Sequence, residues 1–130
     1  MYKRKWFVEL VELSRQEGLY SIVYTNGLLL DPDHSRAIIK AGMKELRFSV
    51  DGITQEVYEL NRVGGKFETV YKNMKDFVEI SKEENSNIKL IWQFIVLRNN
   101  ENQIAKAIAM ADEIGIHFEL KTFAESVPDS

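Results

Sequence analysis

The sequence predicts an α/β fold in which four parallel strands alternate with helices. Four short segments rich in β-branched and aromatic residues are separated by longer segments whose apolar residues recur at helical spacing. Three of the helical segments end at a glycine that leads directly into a strand segment, at Gly18, Gly42 and Gly115. The composition, with 45% hydrophobic and 28% charged residues over 130 positions, is typical of one globular domain.

The first half of the chain is predicted to hold two helix–strand pairs. Asp31 and Pro32 indicate where the second helix begins, because an aspartate accepts from free backbone N–H groups and proline lacks the N–H that would have no partner there. Asparagine–glycine and aspartate–glycine pairs close the two strands. The predicted helices lie at residues 6–15 and 32–41, and the predicted strands at residues 19–25 and 45–50.

The second half continues the alternation after a short polar helix and a glycine–glycine turn. Asn100 and Gln103 have the spacing of a capping pair, which predicts that they satisfy free N–H groups at the start of the last helix. Gly115 ends that helix. The predicted helices lie at residues 54–61, 67–81 and 104–114, and the predicted strands at residues 88–97 and 116–121.

Strands that alternate with helices require right-handed crossovers, and these produce a parallel sheet covered by helices. A section of a β/α barrel and a doubly wound sheet both satisfy this pattern, and periodicity alone does not separate them. In both architectures ligands bind at the carboxyl ends of the strands. The residues that follow each strand are therefore the first candidates for a functional site.

Short polar side chains end the first two predicted strands. Thr25 and Asn26 end the first, and Ser49 and Asp51 end the second. Neighbouring strand ends would bring hydroxyl, amide and carboxylate groups around one small ligand, and a carboxylate can accept from both hydroxyls of a ribose. The alternative is that Asn26 and Asp51 serve only as turn formers before glycine.

Two further polar residues occupy positions that suit a ligand site. Arg62 precedes Val63, Gly64 and Gly65, and its planar set of donors could bind a substrate carboxylate. Gln93 interrupts an apolar strand where alternation could direct it into a barrel interior. A surface arginine and a structural glutamine are the respective alternatives.

Other function classes have little support in the sequence. The formal charge of −3 and the pI near 5.5 argue against a nucleic-acid partner. No segment is long and apolar enough for a membrane span, and no signal peptide is present, so we expect a cytoplasmic location. No phosphate-binding glycine loop or nucleophile turn occurs, and His34 and His117 are interpreted as structural. No metal site or catalytic residue is predicted, and the chain contains no cysteine.

Three stretches of the sequence, in this order and spacing, resemble the central part of radical S-adenosylmethionine (SAM) enzymes. The resemblance covers residues 6–121 and is strongest to members with a C-terminal auxiliary cluster domain of the SPASM or twitch type. The matching stretches are residues 23–30 (VYTNGLLL), 41–52 (AGMKELRFSVDG) and 58–67 (YELNRVGGKF).

This resemblance implies a partial TIM-like (β/α) barrel and two cofactors. In the family, SAM binds the unique iron of a 4Fe-4S cluster held by three cysteines, and its reductive cleavage yields a 5′-deoxyadenosyl radical that abstracts a substrate hydrogen. The resemblance implies that Thr25 and Ser49 contact SAM, that Asp51 meets the ribose and that Arg62 meets the carboxylate. Asn26 is also expected to bind the cofactor, and Gln93 and Leu97 are expected on the adenosine or the substrate side.

The cysteine loop of the family has no counterpart here. We therefore expect residues 1–130 to be a fragment with no second domain, equivalent to about strands three to six of the barrel, and inactive by itself. The expected function is that of an oxidoreductase or maturase-like radical SAM enzyme in the full-length protein. The alternative is a non-catalytic β/α binding module that has lost the cluster.

The resemblance also implies partners. We expect a small-molecule or peptide substrate and an electron donor such as flavodoxin or ferredoxin. Neither a nucleic acid nor a membrane is expected. Because a fragment of a barrel leaves strand edges open, self-association through exposed sheet edges is a further expectation.

Overall fold

The computed structural model describes the backbone of residues 2–122, with side chains for residues 5–60 and 62–122. Over this range the chain forms one four-stranded sheet and a layer of helices. The helices are α1 (Tyr2–Gln16), α2 (Pro32–Ala41), α3 (Gln55–Asn61), α4 (Phe67–Glu83) and α5 (Ile104–Ile114), with a 3₁₀ turn at Glu101–Gln103 before α5. The strands are β1 (Ile22–Thr25), β2 (Glu45–Ser49), β3 (Lys89–Val96) and β4 (His117–Thr122).

The four strands are parallel and lie in the order β1-β2-β3-β4. A doubly wound sheet reverses its strand order at a switch point, whereas a barrel adds each strand beside the previous one. The sequential order therefore resolves the alternative left open by the sequence in favour of a barrel section. It also confirms the predicted α/β class.

The start of α2 is the one the sequence predicts. Asp31 Oδ1 accepts from His34 N at 2.9 Å, Pro32 is the first helical residue, and Gly42 ends the helix with a φ of 87°. A positive φ is strained for residues with a Cβ, so glycine is favoured at this position. The local sequence thus fixes both ends of α2.

Two local predictions are wrong. The first strand begins at Ile22 rather than at residue 19, because β2 begins at Glu45 and Ile22 is the residue that pairs with it. Asn100 and Gln103 do not cap α5, since neither side chain bonds to that helix's first turn. Both side chains instead reach across to the loop that follows β2.

One face of the sheet packs against the helices and forms the core. Trp92 on β3 stacks edge-on against Phe118 of β4 at 5.4 Å between ring centres, and its Nε1 donates to Val50 O at 2.9 Å. Phe48 on β2 meets Phe77 of α4 in the same manner at 6.1 Å. These rings are buried with the apolar faces of α2, α4 and α5 in one cluster.

Side chains of alternate residues point to the opposite face, which is called the inner face below. It corresponds to the interior of a barrel. By strand register its members on β1 to β4 are Ile22, Tyr24, Glu45, Arg47, Ser49, Lys89, Ile91, Gln93, Ile95, His117, Glu119 and Lys121. Among the described residues, no helix is long and apolar enough to cross a bilayer.

Candidate functional site

A row of three polar residues crosses the inner face near the carboxyl edge of the sheet. Ser49 of β2 is the register partner of Gln93 on β3, and Gln93 is the partner of Glu119 on β4. Gln93 is only 6% exposed. The structure therefore places the predicted residues Ser49 and Gln93 side by side, and it adds a carboxylate that the sequence reasoning did not select.

Arg47 lies one step below this row and joins β2 to β4. Its Nε donates to Glu45 Oε2 at 2.6 Å, and its Nη1 donates to Glu119 Oε1 at 2.9 Å and more distantly to Gln93 Oε1 at 3.5 Å. The guanidinium carbon stands 5.9 Å from the centre of the Tyr24 ring, within range of a cation–π contact. Glu45, Arg47 and Glu119 thus form a charged network on the inner face next to Ser49 and Gln93. This network is called the charged floor below.

The charges of this floor stabilise one another. Hydrogen bonds from Arg47 hold the pKa of both Glu45 and Glu119 below their usual value, and the two carboxylates raise the pKa of Arg47. The Tyr20 hydroxyl donates to Glu45 Oε1 at 3.0 Å, and this hydrogen bond raises the Tyr20 pKa. At neutral pH the floor therefore consists of one cation between two anions.

Asp51 lies beyond the end of β2 and is bound to β3. Its Oδ1 accepts from Ile95 N at 2.8 Å, which continues the pairing of the two strands through a side chain. Burial raises the pKa of Asp51, while the Ile95 hydrogen bond and the nearby Arg62 charge act in the opposite direction. The second carboxylate oxygen receives no hydrogen bond from the described residues, so it is available to a ligand.

Thr25 and Asn26 sit differently from Ser49. Thr25 pairs in register with Phe48, so its side chain is on the helix-facing side, and its Oγ1 accepts from Gly27 N at 3.0 Å. Asn26 is exposed, and its Oδ1 accepts from Leu28 N at 3.0 Å. Both side chains shape the turn after β1. The structure does not bring the Thr25 hydroxyl onto the inner face beside Ser49.

Arg62 and Leu97 belong to loops at the same edge. Arg62 follows α3 and its backbone N–H donates to Tyr58 O at 3.1 Å. Burial raises the pKa of both Asp51 and Tyr58, and the Arg62 charge offsets part of each rise. The Leu97 N–H donates to Asn100 Oδ1 at 2.7 Å just after β3 ends. Arg62 is therefore close enough to Asp51 for an electrostatic interaction.

Sequence reasoning missed the charged floor formed by Glu45, Arg47 and Glu119. Arg47 and Glu45 precede Ser49 by two and four residues, so strand alternation places all three on one face. Charged residues at alternate positions of an otherwise buried strand were the signal that could have revealed them. Within the described part of the chain, no group of His, Asp or Glu side chains could hold a metal ion.

Comparisons with known proteins agree with one another. A sequence model of the "Radical SAM superfamily" matches residues 2–114. PqqA peptide cyclase of Gluconobacter oxydans (strain 621H) is 32% identical over 108 residues, covering 83% of this chain and 29% of that protein. GTP 3′,8-cyclase of Peptoclostridium acidaminophilum is 33% identical over 120 residues, covering 88% and 35%. The chain thus spans about a third of the length of these relatives.

Solved structures show the same fold. Streptococcus suis SuiB bound to S-adenosylmethionine matches with a TM-score of 0.71 at 15% identity, over 88% of this chain and 26% of that one. SuiB bound to its precursor peptide SuiA matches equally well, over 25% of its chain. At this identity the likeness concerns the fold alone.

Proposed function

The chain belongs to the radical SAM superfamily, and from this premise we propose that the carboxyl edge of its sheet is part of the SAM-binding wall of a radical SAM enzyme. When bound in such an enzyme, SAM supplies a 5′-deoxyadenosyl radical that takes a hydrogen atom from the substrate. The observation that carries the proposal is the pairing of Ser49 with Gln93 on the inner face. A parallel β/α sheet binds ligands at this edge.

The polar groups at this edge match the chemistry of SAM. Ser49 Oγ, Gln93 Nε2 and Asp51 Oδ2 have no hydrogen-bond partner among the described residues, and none of them is sealed from solvent. They offer a hydroxyl, an amide donor and a carboxylate acceptor to the ribose, the adenine and the amino-acid end of SAM. This donor set supports the proposal on grounds independent of the family match.

Individual roles follow from position. We assign Ser49, Gln93 and Leu97 to the wall beside the adenosine, Asp51 to the ribose hydroxyls, and Arg62 to the SAM carboxylate through its planar donors. Arg62 has no ion pair among the described residues, which leaves its guanidinium available. Thr25 and Asn26 would contribute through the turn that their side chains stabilise after β1.

The iron–sulfur cluster is a different case. Clusters of this kind are held by cysteine thiolates, and the chain contains no cysteine. The residues present here therefore supply none of those ligands. The electron donor, proposed as flavodoxin or ferredoxin, would act on the cluster and not on the wall described above.

We propose a peptide as the substrate class. PqqA peptide cyclase is named for a peptide, and SuiB is seen with its precursor peptide SuiA. The name of GTP 3′,8-cyclase shows that a nucleotide is the competing class. The inner face offers a peptide the exposed aromatic ring of Tyr24 and the partly exposed carboxylate of Glu119.

The proposal is tested by titrating the isotope-labelled chain with SAM and following backbone amide shifts by NMR. We expect shifts concentrated at the ends of β2 and β3, and a weaker affinity in Ser49→Ala. Ser14→Ala is the matched control, because Ser14 is an exposed serine of α1 that bonds only within its own helix. Adenosine, which lacks the amino-acid end of SAM, tests whether that end contributes to binding.

Two results would contradict the proposal. One is the absence of any SAM-dependent shift at the carboxyl edge in a folded chain. The other is equal SAM affinity for Ser49→Ala, Ser14→Ala and the wild type. Equal affinity for SAM and adenosine would reject the role of Arg62 while leaving the adenosine wall in place.

A further inference from the structure

Three amide side chains at the carboxyl edge bond to backbone groups of loops distant in sequence. They are Asn73, Asn100 and Gln103, and together they are called the amide brace below. Asn100 is fully buried and Asn73 nearly so, although neither carries a charge partner or belongs to the apolar core. Burial of an amide is costly unless each polar atom is bonded, so such residues need an explanation.

Asn100 uses its whole amide to join the ends of β2 and β3. Its Nδ2 donates to Asp51 O and to Ile95 O, both at 2.9 Å, and its Oδ1 accepts from Leu97 N at 2.7 Å. Asp51 adds the reciprocal bond to Ile95 N at 2.8 Å. The backbone on both sides of Asp51 and Leu97 is therefore fixed by one side chain.

Gln103 and Asn73 hold the neighbouring loops. Gln103 Oε1 accepts from Ile53 N at 2.8 Å and its Nε2 donates to Thr54 Oγ1 at 3.0 Å, which ties the loop after β2 to the start of α5. Asn73 of α4 donates to Gly27 O at 2.7 Å, in the turn after β1. Each of the loops after β1, β2 and β3 is thus anchored by an amide.

We propose that the amide brace is a set of positioning residues for the SAM site, fixing the loops after β1, β2 and β3 relative to one another. This inference rests on the proposed function for the identity of the ligand. Six hydrogen bonds of 2.7–3.0 Å reach five backbone groups and one hydroxyl in these loops. A ligand that contacts several loops at once binds well only if their spacing is set before it arrives.

The test compares conservative and disruptive substitutions in the chain. Gln103→Glu keeps two oxygens that can accept from Ile53 N and from the Thr54 hydroxyl, whereas Gln103→Met keeps the length and loses both bonds. Asn100→Asp keeps the acceptor for Leu97 N and replaces both donors by an oxygen facing Asp51 O and Ile95 O. Val78→Ala is the stability control, since Val78 is buried in α4 and belongs to the core cluster.

SAM affinity is measured by NMR titration, and thermal stability is measured for each variant. We expect Gln103→Met, which loses two hydrogen bonds, to weaken SAM binding about threefold. Asn100→Asp should weaken it roughly tenfold, because repulsion between its new oxygen and the carbonyls of Asp51 and Ile95 adds to the loss of two hydrogen bonds. Gln103→Glu should bind SAM with wild-type affinity. Val78→Ala should do so as well, even where it loses as much thermal stability as Asn100→Asp or Gln103→Met. Restored binding in Gln103→Glu is the readout that a general loss of stability would not produce.

Amide exchange separates this inference from the proposed function. The Ile53 N–H should exchange faster in Gln103→Met and at the wild-type rate in Gln103→Glu, whether or not SAM binds. Absence of SAM binding with this exchange pattern would refute the proposed ligand and retain the brace. Unchanged Ile53 exchange, or wild-type SAM affinity in folded Asn100→Asp and Gln103→Met, would overturn the brace. Equal weakening by Val78→Ala would overturn it as well.

Discussion

Arg47 and Glu119 form an ion pair that passes over the intervening strand, with 2.9 Å between Nη1 and Oε1. Arg47 is on β2 and Glu119 on β4, so the pair fixes the separation of two strands that are not hydrogen-bonded to each other. The Arg47 side chain is 15% exposed and that of Glu45, its second partner, 6%. The Arg47–Glu45 contact is therefore largely removed from water, whereas the Glu119 side chain is 34% exposed.

Replacing Arg47 by methionine should destabilise the chain by about 3 kcal/mol, because it removes the charged partner of the buried Glu45 carboxylate and leaves it only the hydrogen bond from the neutral Tyr20 hydroxyl. The matched control is Arg36→Met, which removes the exposed pair with Glu83 at 3.6 Å. That change should cost less than about 0.5 kcal/mol. Urea unfolding followed by circular dichroism measures both values. Equal costs for the two variants would show that the inner-face network does not contribute to stability.

The cost of losing Arg47 should depend on pH. Because Arg47 holds the pKa of Glu45 and Glu119 below 4.5, the stabilisation is fully present above that pH and is lost as the pH falls through the folded-state values. Asp51 acts in the opposite direction, since burial raises its pKa above 3.8, so its contribution falls as the pH rises. Asp51 is present in both the wild type and Arg47→Met, so its contribution cancels when their free energies of unfolding are compared.

The difference in unfolding free energy between wild type and Arg47→Met should therefore be largest near neutral pH and shrink towards about pH 3. Measuring urea unfolding of both proteins at several pH values in this window gives the curve. A difference that stays constant as the pH falls would mean that neither Glu45 nor Glu119 gains its low pKa from Arg47.

The free edge of β1 predicts self-association. Ile22 and Tyr24 on this strand are 49% and 56% exposed, and an unpaired strand with apolar side chains readily pairs with another chain. Ile22→Lys should reduce association, as measured by sedimentation equilibrium over a range of concentrations. Val63→Lys is the control, because Val63 is 94% exposed and lies in the crossover between β2 and β3. A wild-type chain that stays monomeric throughout would contradict this prediction.

Much of the fold was readable from local signals, as α2 illustrates. Asp31, Pro32 and Gly42 act on their own neighbours, so the sequence predicts both ends of this helix. The start of β1 was not readable, because it depends on where β2 supplies a partner for Ile22. Strand order was likewise undetermined, since right-handed crossovers allow both a barrel section and a doubly wound sheet.

The residues of the candidate site were likewise only partly predictable from the sequence. Ser49 and Gln93 were predicted from strand ends and alternation, and the register places them together. Asn100 was interpreted as a helix cap because its spacing to Gln103 fits that motif. Its actual partners, Asp51 and Ile95, precede it by 49 and five residues. A contact over 49 residues is set by tertiary packing, which a local pattern does not report.

Gly65, in the loop that carries Arg62, packs tightly against the side chain of Tyr58. A Cβ at position 65 would lie 2.6 Å from the Tyr58 hydroxyl oxygen, and that hydroxyl is buried with no hydrogen-bond partner in the part of the chain that the structure describes. Gly65→Ala should therefore cost about 1–3 kcal/mol through overpacking. Tyr58→Phe should be neutral or stabilise by about 1 kcal/mol, because it removes an unsatisfied buried group.

The two changes should be coupled, since phenylalanine lacks the atom that the new methyl would meet first. In a Tyr58→Phe background, Gly65→Ala should cost at least about 0.5 kcal/mol less than in the wild type. Tyr71→Phe is the control partner, because the Tyr71 ring stacks on Phe67 and is not among the atoms that a Cβ at Gly65 would meet most closely. Unfolding free energies of the single and double variants decide the matter, and strict additivity with Tyr58→Phe would contradict the proposed contact. Since Gly65 N donates to Arg62 O at 3.1 Å, strain at Gly65 should also displace Arg62 and weaken SAM binding.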